Sequence, residues 1–350
     1  MKNRIISLLL ALALLVPMAV APVSAEETQR ASVTDVTGTC PCGCGQNLDA
    51  IKWNKWDVNE TDDPTAGHYY LDDDYVQNGQ KQIMAGDRVV LDLRGHTITS
   101  KSYSRLLLVY GRFHLLDTVG GGRFMSKVSG GAFGGVVMLS TNEVNDALFE
   151  LCSGTITIDD DNKGSRRGGL IQVAQTATFR MTGGMLLNGT TVSTAYPDTK
   201  EPGGCVAGIS SACTIEILGG QIIGGESAAH GGNIYNIGTT ILKNCQIVGG
   251  TAAKSGGNIC QDGGTLTMEN CVVSDGWCDS STNTSGGNVL LTGGAKATLK
   301  NSTLRNGHAP YHGGNLYAST ASTMNISGGT ITVLMAGANE SGWVKGNTDI

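Results

Sequence analysis

The chain has 350 residues, of which 51 are glycine and 5% are aromatic, and this composition favours many tight turns over one large aromatic core. Its formal net charge is −6, which argues against nucleic acid and anionic membranes as partners. Only 7 prolines and many β-branched residues argue against a disordered chain.

The first 25 residues have the pattern of a secretory signal peptide. Lys2 and Arg4 precede an apolar run that extends from Ile5 to Ala21, and small residues end the segment at Ala25. A signal anchor is the alternative, because the apolar run is nearly long enough to span a bilayer. With cleavage after Ala25, we expect a secreted, extracellular or cell-surface protein that has no transmembrane segment.

Residues 26–85 are predicted to form a polar tether followed by a cysteine-rich and aromatic lead-in that caps the first coil. The sharpest motif is the C-P-C-G-C run that contains Cys40, Cys42 and Cys44. Its three thiols could bind a soft metal ion, with His68 as a candidate fourth ligand. The run lacks the C-x-x-C spacing of ordinary zinc modules, so a disulfide, or neither state, stays open.

Residues 86–335 are predicted to carry coils, because two motifs recur there, the first of them at steps of 25, 30 and 27 residues. A Gly-Gly-Asn motif recurs at Asn233, Asn258, Asn288 and Asn315. A second motif, in which an apolar run ends in Asn and then Cys or Ser, recurs at Asn244, Asn270 and Asn301. Between the motifs lie short β-branched runs with glycine or asparagine corners.

This repeat predicts an all-β parallel β-helix. Helical solenoids of the same period need a helix of about ten or more residues in each repeat, and the runs here are too short and too rich in glycine. In a stack of parallel coils, equal positions lie above one another, so we expect the two sets of asparagines to form structural ladders. A binding row is the alternative interpretation of these asparagines.

The ten cysteines would suggest a disulfide framework in an exported chain. However, Cys245 and Cys271 occupy the same position of the repeat, and Ser302 occupies it in the next copy. A position that alternates between Cys and Ser is typical of a small interior residue, so we expect buried thiols there instead of bridges.

Two stretches resemble known β-helical proteins. The Gly-Gly-Asn-Ile-Tyr motif at residues 231–235 and the Leu-Lys-Asn-Cys motif at 242–245 resemble the Gly-Gly-Ala-Ile and Phe-x-x-Asn repeats of polymorphic outer-membrane proteins, with Asn in place of Ala and Leu in place of Phe. Residues 66–71 and 89–98 are similar to the N-terminal segment of secreted right-handed β-helix proteins with a pectate-lyase-like fold. The resemblance implies right-handed winding, which parallel crossovers also favour.

Two polar clusters are candidates for chemistry. Asp159, Asp160 and Asp161 precede a turn and could bind calcium, but consecutive carboxylates on a strand point to opposite faces, so we expect a solvated loop, with a weak calcium site as the alternative. Arg166 and Arg167 are of the residue type that serves as the cationic base of a polysaccharide lyase, but nothing in the sequence supplies the geometry, so we expect a solvent-facing pair. Calcium and a thiol-bound metal are the candidate cofactors, and we expect neither to be required.

His230 and His312 both precede a Gly-Gly-Asn motif, and Ser255 and Ser285 occupy the same place in the repeats between them. Because histidine alternates with serine there, we expect exposed corner residues and not a catalytic pair.

The sequence therefore predicts a secreted or cell-surface rod that acts as a non-catalytic adhesin, or as a binding surface for extracellular glycans or surface proteins. A polysaccharide lyase or glycoside hydrolase is the first alternative, and a structural surface-layer component is the second. The tail at residues 336–350 is a poor cap for the last coil. We therefore expect end-to-end self-association or a native chain that continues past Ile350.

Overall fold

The structure is a computed structural model, and it describes residues 38–40, 43–56, 62–101, 105–127, 133–141, 147–159, 164–192, 201–279 and 284–331. The predicted signal peptide at residues 1–25 and the predicted tail at residues 336–350 lie outside these ranges. No helix in the described ranges is long or apolar enough to cross a membrane.

The described residues form one 3-10 helix, Leu48–Ala50, and 31 strands. The strands of the first half are β1 (Asn54–Lys55), β2 (Gly67–Tyr70), β3 (Tyr75–Gln77), β4 (Lys81–Ile83), β5 (Arg88–Asp92), β6 (Thr97–Ser100), β7 (Leu107–Val109), β8 (Arg112–Leu116), β9 (Arg123–Ser126), β10 (Val137–Leu139), β11 (Leu148–Leu151), β12 (Thr155–Ile158), β13 (Ile171–Val173), β14 (Thr178–Met181), β15 (Met185–Leu187) and β16 (Val206–Gly208). The remaining strands are β17 (Thr214–Ile217), β18 (Gln221–Ile223), β19 (Glu226–Ser227), β20 (Ile234–Asn236), β21 (Thr239–Lys243), β22 (Gln246–Val248), β23 (Thr251–Ala252), β24 (Ile259–Asp262), β25 (Thr265–Glu269), β26 (Val272–Ser274), β27 (Trp277–Cys278), β28 (Val289–Thr292), β29 (Lys296–Arg305), β30 (Leu316–Ala318) and β31 (Thr323–Ile331).

Parallel pairing arranges these strands as the faces of a right-handed parallel β-helix of about eight turns. Face A contains β1, β2, β5, β8, β11, β14, β17, β21 and β25. Face B contains β3, β6, β9, β12, β15, β18, β22 and β26, and face C contains β4, β7, β10, β13, β16, β20, β24, β28 and β30. The long strands β29 and β31 pass through the corner from face A to face B. The predicted all-β parallel β-helix is confirmed.

The core is built by stacking like side chains along the rod. Phe113, Phe149 and Phe179 pair in register on face A, and their ring centroids are 5.7 and 5.8 Å apart with nearly parallel planes. All three side chains are fully buried. Although the sequence has few aromatic residues, several of its rings lie in one interior column. Stacked and offset rings stabilise the fold beyond the burial of their apolar surface.

The geometry of each corner explains why both of its residues are glycine. Gly256 has a φ of +69°, a left-handed conformation that glycine adopts without strain. A Cβ atom on Gly257 would lie 2.2 Å from the carbonyl oxygen of Gly287 in the next coil. The first glycine therefore makes the turn, and the second allows adjacent coils to approach each other.

The lead-in joins the rod earlier than the repeats alone indicate. Strand β1 pairs with β2, and β2 pairs with β5, so parallel pairing begins upstream of residue 86. The side chains of Cys40, Leu48 and Ile51 pack against Val90 and Leu116, which lie on the outer side of face A. The lead-in thus covers part of that face.

Candidate functional site

The Gly-Gly-Asn asparagines lie in one interior column. Asn258 is fully buried, and its Oδ1 accepts hydrogen bonds from Asn233 Nδ2 at 2.7 Å and from the Gly250 N–H at 2.8 Å. Its Nδ2 donates to the Ser274 carbonyl at 2.8 Å and to Asn288 Oδ1 at 2.7 Å. An asparagine side chain makes four such bonds at most, so no bond is left for a ligand.

The second set of asparagines lies on the outside of the rod. Asn244, Asn270 and Asn301 are exposed and have φ values of +50°, +55° and +48°. Asparagine tolerates this left-handed conformation better than most residues do. These residues turn the chain from face A to face B, which directs the next side chain into the core.

The thiols after these turns are buried and lie outside disulfides. Cys245 Sγ and Cys271 Sγ are 3.4 Å apart, and Ser302 Oγ accepts a hydrogen bond from the Cys271 N–H at 3.1 Å. The hydrogen bond to Cys271 and burial both raise the pKa of the Cys245 thiol. Burial raises the pKa of Cys205 and of Cys278 to about 12, so neither is a reactive thiolate near neutral pH.

The two charged clusters predicted from the sequence are engaged in ion pairs where they are described. Asp159 Oδ2 lies 3.4 Å from Lys127 Nζ, while Asp160 and Asp161 lie outside the described residues. Arg166 Nε lies 3.1 Å from Glu201 Oε1, and Arg167 Nε lies 3.8 Å from the other Glu201 oxygen. Both guanidinium groups also lie over the ring of Phe133.

Glu201 is almost fully buried, so Arg166 and Arg167 balance an interior charge. The expectation that this pair simply faces solvent was wrong. The pair is also a poor candidate for a lyase base, because a guanidinium held by a buried carboxylate does not give up its proton.

The cysteine run brings soft metal ligands together. Cys40 Sγ and Cys44 Sγ lie 3.4 and 4.0 Å from Nε2 of His68, and the three atoms lie within 4.8 Å of one another. Cys42 lies outside the described residues. Burial and the neighbouring His114 lower the pKa of His68, which favours the neutral imidazole that can bind a metal.

A charged row continues from this cluster along the outer side of face A. In-register pairing aligns His68, Val90, His114, Glu150, Arg180 and Glu216. Arg180 Nε lies 2.7 Å from Glu216 Oε2, and its Nη1 lies 4.0 Å from Glu150 Oε2. His114 Nδ1 lies 3.3 Å from that same Glu150 oxygen. Arg180 thus lies between the two carboxylates of this row and is a cationic neighbour of both.

A groove of about 440 Å³ lies over the outer side of face C, in the coils nearest its C-terminal end. Four residues of its lining directly precede a Gly-Gly-Asn motif and belong to successive coils: His230, Ser255, Ser285 and His312. Because parallel strands lie about 4.8 Å apart, these four positions extend over about 14 Å along the rod. The expectation that these corner residues are exposed was wrong, because Ser255 and Ser285 are buried and His230 and His312 are half-buried, and the sequence did not predict a groove.

Aromatic rings and one carboxylate complete the lining. The rings of His312 and Tyr317 stack with centroids 5.4 Å apart and planes 9° apart, and Tyr311 contacts His312 edge-on at 4.1 Å. Asp262 Oδ2 accepts a hydrogen bond from Tyr235 Oη at 2.9 Å. Burial and then the charge of Asp262 raise the pKa of Tyr235, so its hydroxyl stays a donor. The groove thus offers flat rings beside hydroxyl and carboxylate groups.

Comparison with protein-family models, with curated proteins and with solved structures gives no match. The fold is therefore established by the strand pairing itself, and the function has to be argued from the geometry of these sites.

Proposed function

We propose that the protein is a secreted, cell-surface rod that binds extended extracellular glycans in the face C groove without cleaving them. The groove is the observation that carries this proposal. It runs along the rod across four coils, and each coil presents a polar side chain at the same corner. A lining that repeats at about 4.8 Å suits a long polymer better than a small compact molecule.

The chemistry of the lining fits a sugar chain. A sugar ring has a C–H face that packs on an aromatic ring, and hydroxyl groups at its edge that form hydrogen bonds. The stacked pair of His312 and Tyr317 provides the flat surface. Thr292 and Asp262 supply polar partners beside it. Because the whole chain is acidic, neutral polysaccharides are the preferred ligands over polyanionic ones.

The same lining argues against hydrolysis in the groove. Most glycoside hydrolases use two carboxyl groups on either side of the bond that breaks. Asp262 is the only carboxylate among the described residues that line the groove, and it already accepts a hydrogen bond from Tyr235.

Among the described residues, the charged row of face A comes nearest to the paired carboxyl groups of the alternative, a polysaccharide lyase or glycoside hydrolase. Glu150 and Glu216 lie two coils apart on the same row, which puts their backbones about 10 Å apart. An inverting hydrolase holds a water molecule between such carboxyl groups. Here Arg180 occupies that space, and its ion pairs with both glutamates disfavour catalysis.

A polysaccharide panel separates binding from catalysis. The purified protein would be tested with soluble β-glucan, xylan, galactomannan and polygalacturonate, with and without calcium. Both retention of each polymer and the release of new reducing or unsaturated ends would be recorded. We expect retention of at least one neutral polymer, with no new ends and no calcium requirement. New chain ends would support the enzyme alternative, and no retention of any polymer would contradict glycan binding.

A further inference from the structure

The two ends of the cysteine loop, residues 40–46, are held together in front of the first coil. Thr39 and Asn47 form an antiparallel bridge at its base. The Cys40 N–H donates to the Gln46 carbonyl at 2.9 Å, which closes the loop from inside. These backbone contacts therefore fix the positions of Cys40 and Cys44 relative to face A.

The distances within the cluster match a metal centre. The two distances from His68 Nε2, 3.4 Å to Cys40 Sγ and 4.0 Å to Cys44 Sγ, can be compared with an ideal site. A tetrahedral zinc ion with Zn–S bonds of about 2.3 Å and Zn–N bonds of about 2.0 Å separates S and N by about 3.6 Å. The observed values lie on either side of this distance, so shifts of a few tenths of an ångström accommodate the ion.

The fold orients the ligands independently of any metal. His68 belongs to β2, which pairs with β1 on one side and β5 on the other. The ring of Trp53 contacts the His68 ring edge-on at 5.5 Å, and Trp53 Nε1 donates to the Leu48 carbonyl at 3.1 Å. Cys40 is only 2% exposed and packs against the outer side of face A. Because these ligands are already held in place, they lose little conformational entropy when they bind a metal ion.

We propose that Cys40, Cys44 and His68 bind one structural zinc ion, which ties the cysteine loop to the first coil. Two thiolates and an imidazole select zinc over the hard cations calcium and magnesium, which prefer oxygen ligands. Each thiol gives its proton to solvent as it binds. Three protein ligands leave the fourth tetrahedral position of the ion to a water molecule.

Zinc titration of the full chain tests the proposal. The protein would be purified under reducing conditions, stripped with a chelator and titrated with zinc, and the bound metal would be counted by mass spectrometry. We expect one zinc ion per chain. Cys44→Ser and His68→Ala should each weaken binding by more than about a hundredfold. Cys278→Ser, which alters a buried thiol far along the rod, is the matched control and should bind zinc as the unaltered chain does.

Two further readouts separate a metal site from loss of folding. Cys44 is exposed, so Cys44→Ser should keep the circular dichroism spectrum of the rod while it loses the thiolate-to-metal absorption of bound cobalt(II). Removal of zinc should speed hydrogen exchange at residues 43–56 and leave face C unchanged. Equal zinc affinity in Cys44→Ser, or a disulfide between Cys40 and Cys44 in the untreated protein, would overturn the proposal.

Discussion

Asn258 Nδ2 donates a hydrogen bond of 2.7 Å to Oδ1 of Asn288, and the two side chains lie one coil apart in the interior of the rod. Asn258→Ala removes this bond and leaves the Gly250 N–H without its partner, while the Ser274 carbonyl keeps only the hydrogen bond from the Gly249 N–H. Unmet buried polar groups are costly, so we expect the free energy of unfolding to fall by about 1–3 kcal/mol.

Urea unfolding of Asn258→Ala, with Thr267→Ala as a separate control variant, checks this value. Thr267 is an exposed residue of face A in the same coil, and its loss should change stability by less than about 0.5 kcal/mol. Glycan binding should survive in Asn258→Ala. Loss of binding at unchanged stability would show that the asparagine column is a binding row after all.

The interior thiols give a second prediction. Cys245 is 2% exposed and Cys271 is 1% exposed, so neither should react with a thiol reagent in the native protein. Both should react after unfolding in denaturant. Peptide mass spectrometry of native and unfolded samples, both stripped of metal with a chelator, makes the comparison, with the exposed Cys44 as the internal reference. A native bridge between Cys245 and Cys271 would contradict the placement of two separate thiols.

Alkaline pH should weaken the fold through the buried thiols. The pKa of Cys278 is about 12 in the folded chain, against an ordinary value of 9.0. The folded state keeps this proton between pH 9 and 12, whereas the unfolded state loses it. The stabilisation is therefore complete below pH 9 and is lost as the pH rises toward 12.

At pH 10 the loss amounts to about 1 kcal/mol for this thiol. Unfolding in urea at pH 8 and pH 10 should show Cys278→Ala losing about 1 kcal/mol less than the unaltered chain over this interval. Equal losses in the two proteins would contradict the assignment.

The sequence predicts the coil stack well because its signals are local and repeated. Each Gly-Gly-Asn motif contains a left-handed glycine, a glycine at a close approach between coils and a buried amide. The same three features recur in the motifs that end at Asn233, Asn258 and Asn288. Like residues then stack by register alone. The spacing of a repeated motif therefore predicts that its copies lie next to one another in adjacent coils.

The sites depend on contacts that the repeat does not encode. His312 and Tyr317 stack because one ring belongs to a corner and the other to the following strand, and the intervening Gly-Gly-Asn turn sets their distance. The alternation of histidine and serine before that motif, together with Tyr235 and Tyr317 after it, was the available signal. The cysteine run predicted candidate ligands, but only the pairing of β2 with β1 and β5 places His68 beside them.

Comparison of one groove variant with one variant outside the groove tests directly whether the face C groove binds glycans. Titration calorimetry with the neutral polysaccharide retained in the panel would compare Tyr317→Ala with Trp277→Ala. Trp277 is also in the C-terminal coils and 48% exposed, but it stacks on His308 outside the groove lining. We predict that Tyr317→Ala weakens binding at least about tenfold, a loss of about 1.4 kcal/mol, and that Trp277→Ala leaves it unchanged. Unchanged affinity in Tyr317→Ala would contradict glycan binding in the face C groove.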